Sequence, residues 1–172
     1  MQAHLDDRLA PEIKAEIDAA VSISWLTFET YYDVIETLRT LVGNEGLRAV
    51  FEGYVLDLRN VTLYKPLLAG ISYFGGGAEA MLRLYSRGYS LSFSNTGQMT
   101  LSARPDGDGV IVTLEDIPEI CRREAYAHAH HGGVSGGFGL ADTQAEVSMD
   151  MSELHRGKLV YDARALGSPD SA

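Results

Sequence analysis

The apolar residues of this chain keep a helical spacing over its first half and then change to a spacing of two, and that change constrains the fold more than any single motif. Phe28, Tyr31, Tyr32, Ile35, Leu38 and Val42 recur at intervals of three and four, which predicts an amphipathic helix. Thr27 is placed to cap its start and Gly43 to end it, because threonine offers an oxygen to the orphan amides and glycine accepts the left-handed backbone that commonly follows a helix. Asn44 can then cap a second helix, in which Leu47, Val50, Phe51, Tyr54, Val55 and Leu58 repeat the pattern up to Asn60. Two antiparallel helices, tightly joined, are expected. Upstream, Leu5, Leu9, Ile13, Ile17 and Val21 recur every four residues around Pro11, as in a short N-terminal helix. Downstream, Leu67, Leu68, Ile71, Phe74, Met81, Leu84 and Tyr85 predict a helix broken by Gly75, Gly76 and Gly77, where helix propensity is lost cumulatively.

The period of two begins with Tyr89, Leu91 and Phe93. Met99 and Leu101 follow beyond Asn95-Thr96-Gly97, and Val110 to Leu114 follow Pro105-Asp106-Gly107-Asp108-Gly109, so turn residues separate three strands of an antiparallel meander. Asp116, Pro118 and Glu119 form a helix start, since aspartate caps, proline fits the first turn and glutamate completes a capping box; that helix is expected to run to about Gly139. Ala145, Val147 and Met149, a turn over 152–157, and Leu159, Tyr161 and Ala163 close the chain with a hairpin. The expected fold class is α+β: N-terminal helices packed on one antiparallel sheet, built as a three-strand meander, a helix and a C-terminal β-hairpin. One domain spans residues 1–166, with 167–172 as a disordered tail.

Charge and composition remove several function classes. The 172 residues carry 14 lysine and arginine against 24 aspartate and glutamate, a net charge of −10, which repels phosphate backbones and anionic lipid. The arginines are scattered apart from the pair Arg122-Arg123, so no basic patch offsets that field and nucleic acid is not an expected partner. A 45% hydrophobic fraction is ordinary for a globular core. Cys121 is the single cysteine, which excludes an internal disulfide. No run is long enough for a membrane span and the polar start at Met1 to Arg8 lacks a signal-peptide order, so the cytoplasm is the expected location.

Three motifs invite a chemical reading. Gly133-Val134-Ser135-Gly136-Gly137 matches the G-x-S-x-G elbow of serine hydrolases, with Asp150 and His155 following in triad order; an elbow needs a strand before the serine and a helix after it, whereas Ser135 falls late in an expected helix. Phe74-Gly75-Gly76-Gly77-Ala78 lacks the lysine and hydroxyl residue of a phosphate loop. On the helix from Ile117, the residues Ile117, Ile120, Cys121, Glu124, His128 and His131 share one side, and Arg122, Arg123, Tyr126 and His130 the other. Thiolate and imidazole suit zinc or haem iron, but Cys121 and His128 are two turns apart, about 10 Å along a helix. His128 and His131 remain as weak metal candidates needing ligands from elsewhere, with a hydrogen-bonded histidine edge near a pocket mouth or subunit contact as the plainer reading. Cys121, Glu124, His128, His131, Tyr73 and Tyr54 are the candidate ligand- or partner-binding residues; no catalytic set is expected.

Trp25-Leu26-Thr27-Phe28 with Tyr31-Tyr32, Tyr64-Lys65-Pro66 before a glycine-broken helix, and Gly133, Gly137, Gly139, Ala145-Glu146-Val147, Gly157 and Tyr161 in order resemble a myxobacterial-type domain family of unknown function over roughly residues 20 to 165. More remotely, the helix, glycines and closing hairpin resemble the 4-vinyl-reductase-like small-molecule-binding domains, relatives of TRAPP-complex subunits and of haem–nitric-oxide sensors. The resemblance implies an apolar cavity between helices and sheet, often in a dimer, used for sensing or scaffolding. The cysteines of the small-molecule-binding relatives' closing hairpin are absent, and the tyrosine-serine-arginine signature of the haem sensors is missing from the strands. The leading expectation is a non-enzymatic regulatory or adaptor domain acting through protein contacts, a homodimer or a partner of another protein. The alternative is a small-molecule sensor for an apolar ligand or haem, and the remote one a small esterase using Ser135.

Overall fold

A computed structural model describes residues 9–19, 27–61, 65, 68–69, 79–80, 82–83, 86–87, 97–107 and 109–166. Helix α1, Pro11–Ala19, begins on a proline, the residue whose missing amide and fixed φ cost nothing in a first turn. Helix α2, Phe28–Asp57, is capped as expected: Thr27 Oγ1 accepts from the Thr30 amide at 3.2 Å. A 3-10 turn, Leu58–Asn60, closes it. Strands β1 (Gln98–Ala103), β2 (Gly109–Glu115), β3 (Ala145–Asp150) and β4 (Leu159–Ala165) form an antiparallel sheet in the order β1-β2-β4-β3, and helix α3, Glu124–Leu140, makes the crossover between the two hairpins. The fold is α+β, with helices against one antiparallel sheet.

The period of two does in the sheet what it predicts. Leu101 stands opposite Val112, Val112 opposite Tyr161, and Val147 opposite Ala163. Met99, Val110, Val112, Leu114, Leu159, Tyr161 and Ala163 are buried on one face, and Thr100, Ser102, Glu146, Ser148 and Asp150 are exposed on the other, the division expected of a sheet covered on one side. The strand expected over Tyr89 to Phe93 and the glycine-broken stretch at Gly75 to Gly77 lie outside the described residues, as do the link at 21–25 and the tail.

Two expectations are corrected. The helices on either side of Gly43 do not fold back on each other. Gly43 has φ 72° and ψ 179°, a left-handed φ suited to glycine, but helical backbone resumes at Asn44 with no loop between. Tyr32 lies beneath the Arg123 guanidinium, 4.9 Å from ring centroid to carbon, and Arg39 is 3.6 Å from Glu124. Farther on, Arg48 meets Gly132, Val55 meets Gly136 and Leu56 meets Gly139. The two segments of α2 thus succeed one another along α3, as one bent helix.

The second correction concerns the start of the late helix. Asp116 sits at φ 56°, and the Ile117 amide donates to the Gly157 carbonyl at 3.0 Å, so this stretch is tied to the far end of the chain before it can turn helical. A 3-10 turn at Glu119–Cys121 follows, Arg122 (ψ 54°) and Arg123 (φ −136°, ψ 157°) break it, and α3 begins at Glu124. Cys121 therefore does not share a helix with His128 and His131. Nor does α3 have a wet side: of its residues only Glu124 is exposed, with Ser135 and Gly139 half-buried, because α2 covers one flank and the sheet the other.

Candidate functional site

Helix α3 is the interior element on which the candidate residues converge. Its sequence is poor helix-forming material, since each glycine costs about 1 kcal/mol relative to alanine. Packing explains the choice. A Cβ on Gly132 would overlap the Arg48 carbonyl, one on Gly136 would come within 2.7 Å of Val55 Cβ, and one on Gly139 within 2.7 Å of Leu56 Cδ2. Glycine lets α3 lie almost backbone-to-backbone on the second segment of α2. On its other flank, the Tyr161 hydroxyl of β4 donates to the Ala127 carbonyl at 2.7 Å.

The histidines of α3 are held by this double packing. Arg48 Nε donates to His128 Nδ1 at 2.9 Å; because guanidinium only donates, the neutral His128 ring carries its proton on Nε2. Burial, then the Arg48 charge, pushes its pKa down. His131 Nε2 lies 2.9 Å from the Val147 carbonyl, which only accepts, so His131 carries its proton there as well. Its Nδ1 is buried without a hydrogen-bond partner, and burial depresses its pKa. His130 packs edge-on to the Tyr126 ring, centroids 4.3 Å apart, and complete burial pushes its pKa down to about 3. All three rings are neutral near pH 7.

Beside them runs a charged chain at the start of the α2–α3 joint. Arg39 binds Glu36 through Nε at 3.1 Å and Nη2 at 2.6 Å, and Glu36 accepts from the Tyr32 hydroxyl at 3.1 Å. The Arg39 hydrogen bond holds the Glu36 carboxyl below the usual range.

The other sequence candidates sit apart. Cys121 is fully buried and burial raises its thiol to about 11, which leaves it protonated and unreactive. Glu124 faces solvent, and Tyr54 is 68% exposed on the outer side of α2. Tyr73 lies outside the described residues. Ser135 is within α3 instead of on a strand-to-helix elbow, and His155 is exposed in the turn at Leu154–Arg156. Spacing identified His128 and His131 as neighbours on one helix. It missed Arg48, whose bond to His128 spans 80 residues; its only sequence signal is a charge on the expected core side of a helix.

No protein-family model matches this sequence, and no curated protein matches it. Solved structures do share its fold. The Fe(II) unliganded H-NOX protein from K. algicida is 11% identical with a TM-score of 0.65, over 98% of this chain and 94% of that one. An H-NOX protein from S. oneidensis in the Fe(II)NO ligation state is 8% identical, with a TM-score of 0.63 over 96% of this chain and 88% of that one. A further H-NOX structure, from work on haem distortion in that family, is 13% identical with a TM-score of 0.59, covering 99% and 88%.

Haem is the group this fold brings into question, and the described histidines do not suit it. An axial imidazole gives its bare nitrogen to iron and its N–H to an acceptor. His128 has the reverse polarity, because Arg48 occupies its bare nitrogen. His131 has the right polarity, but its bare nitrogen is Nδ1, the one bonded to the ring carbon that carries Cβ and hence nearer the α3 backbone, where a macrocycle is crowded. His130 is enclosed by protein, with both nitrogens buried. Among the described residues, no three histidines, cysteines or carboxylates gather as a metal site either. The chain therefore has the fold seen in H-NOX structures, with an interior helix whose histidines are turned to protein partners.

Proposed function

We propose that this chain is a regulatory sensor domain that responds to a small molecule taken up between its helices and its sheet. The observation that carries the reading is the extent of the fold likeness: it covers 98% of this chain and 94% of an H-NOX chain, so what is shared is the whole fold and not a common sub-motif. The central place of α3 fits the role, because a helix in contact with both α2 and the sheet passes a displacement at one layer to the other. The likeness favours a sensor over the adaptor that the sequence led with. The output of such a domain is a protein contact, with a second copy of the chain or with another protein, and the single buried thiol of Cys121 suits the reducing cytoplasm. Residue candidates for the uptake site are His128 and His131.

Native mass spectrometry and thermal melts of the purified chain test this. A sensor is expected to carry a discrete small-molecule mass, or to gain thermal stability with a panel of apolar compounds, since a ligand that binds the folded state raises Tm by mass action. A bare mass in every preparation, with no compound shifting Tm, would refute the proposal.

A further inference from the structure

We infer that the molecule this domain senses is free of metal: the chain has the H-NOX fold but does not hold haem. This rests on the sensor reading and narrows its ligand to organic molecules without a coordinated ion. The argument is one of proton placement. A histidine that ligates iron must point its lone pair at the metal, and its second nitrogen is the one that donates outward. Here Arg48, whose guanidinium has donors and no acceptor, donates to His128 Nδ1 at 2.9 Å and so fixes the proton of that neutral ring on Nε2. Turning His128 into a ligand would require breaking this bond and leaving a guanidinium in the α2–α3 joint without its acceptor. His131 is pinned by the Val147 carbonyl with only the crowded Nδ1 unprotonated. His130 is enclosed by protein, and His155, the described histidine outside α3, is in an exposed turn where its carbonyl accepts from Arg122 at 3.3 Å.

Space points the same way. The contact of Gly132 with the Arg48 carbonyl and of Gly136 with the Glu52 carbonyl brings the backbones of α2 and α3 together along the histidine-bearing stretch, closing the gap a porphyrin beside His128 would fill. Cys121, whose thiolate would be another haem ligand, is fully buried in the 3-10 turn that packs before α3. The histidines of α3 act as neutral hydrogen-bonding struts. A ligand accommodated next to them meets uncharged imidazole, with the Arg48 guanidinium already engaged by His128, an environment that suits an uncharged organic molecule.

The test is a titration of the wild-type full chain with hemin, ferric and then dithionite-reduced, followed in the Soret region and by native mass spectrometry, with a parallel titration of the uncharged dye Nile red. The expected result is a hemin spectrum without a sharpened Soret band or an equivalence point at one haem per chain, together with saturable Nile red fluorescence. A one-to-one hemin endpoint with a matching mass increment would overturn the inference while leaving the sensor reading intact. Binding of neither hemin nor Nile red leaves this inference standing and counts against the sensor reading instead.

Discussion

Two glycines of this chain are used in opposite ways. Gly132 is pressed on the Arg48 carbonyl, whereas a Cβ added at Gly53 would meet nothing within 4 Å. Gly132→Ala is expected to lose about 1–3 kcal/mol through overpacking, although alanine is the better helix former, and Gly53→Ala to gain up to about 1 kcal/mol. Urea unfolding midpoints of the two variants check both signs. The histidines make a second prediction. His130, His128 and His131 all have folded-state pKa values below the ordinary 6.5, burial being the main cause, and His130 falls to about 3. An unfolded chain therefore binds protons that the folded one refuses. Stability is full above about pH 6.5 and is lost as pH falls below it. The urea midpoint is expected to drop between about pH 7.5 and about pH 5.5, and less steeply in His130→Leu. Unchanged slopes would mean that these rings are not held neutral. Residue types and their helical phase were legible in the sequence here, since a period of 3.6 places His128 and His131 together. Their partners were not, because nothing local in the chain marks Arg48 or Val147 as the group each ring will meet.

Elements read from periodicity alone came out well where one face is wet and poorly where none is. The strands alternate buried and exposed residues, so β1 to β4 could be read directly. Helix α3 is buried all round, and a wheel drawn on it assigns a polar side that does not exist. Its start was misplaced for a related reason. Asp116, Pro118 and Glu119 are sound local start signals, but the Ile117 amide finds a better fixed partner in the Gly157 carbonyl, a long-range bond that local rules do not contain. At Gly43 the sequence marked the break in α2 correctly but gave the wrong direction after it, an antiparallel return instead of a bend, since that direction is set by contacts with α3. The joint between α3 and the sheet gives the prediction at this scale. Tyr161→Phe removes the hydroxyl that reaches the Ala127 carbonyl at 2.7 Å and is expected to cost about 1 kcal/mol, read as a lower urea midpoint with an unchanged m-value. A loss above about 3 kcal/mol would show that the ring, and not the bond, had been disturbed.

For the molecule as a whole, Cys121 serves as a reporter of opening. Its thiol is fully buried and raised to about 11, so a maleimide can reach it only when the turn before α3 comes away. Native protein is expected to resist labelling over times in which urea-unfolded chain is labelled to completion, with the native rate tracking global stability. Rapid native labelling would place a loose, separately opening unit at the centre of the fold. The class of the fold and the closing hairpin were legible at this scale. The likeness to H-NOX structures is one of fold alone, because residues at 8–13% identity preserve a pattern of layers and not a set of letters.

The glycine-laden interior of α3 also bears on the order in which the chain is made. A helix that owes its shape to both neighbours cannot settle when it leaves the ribosome, since α2 is by then available but β3 and β4 are still to be synthesised. Its apolar surface must wait for the final strands, and a message truncated before Ala145 would yield a product with that surface uncovered, a natural target for chaperones and proteases.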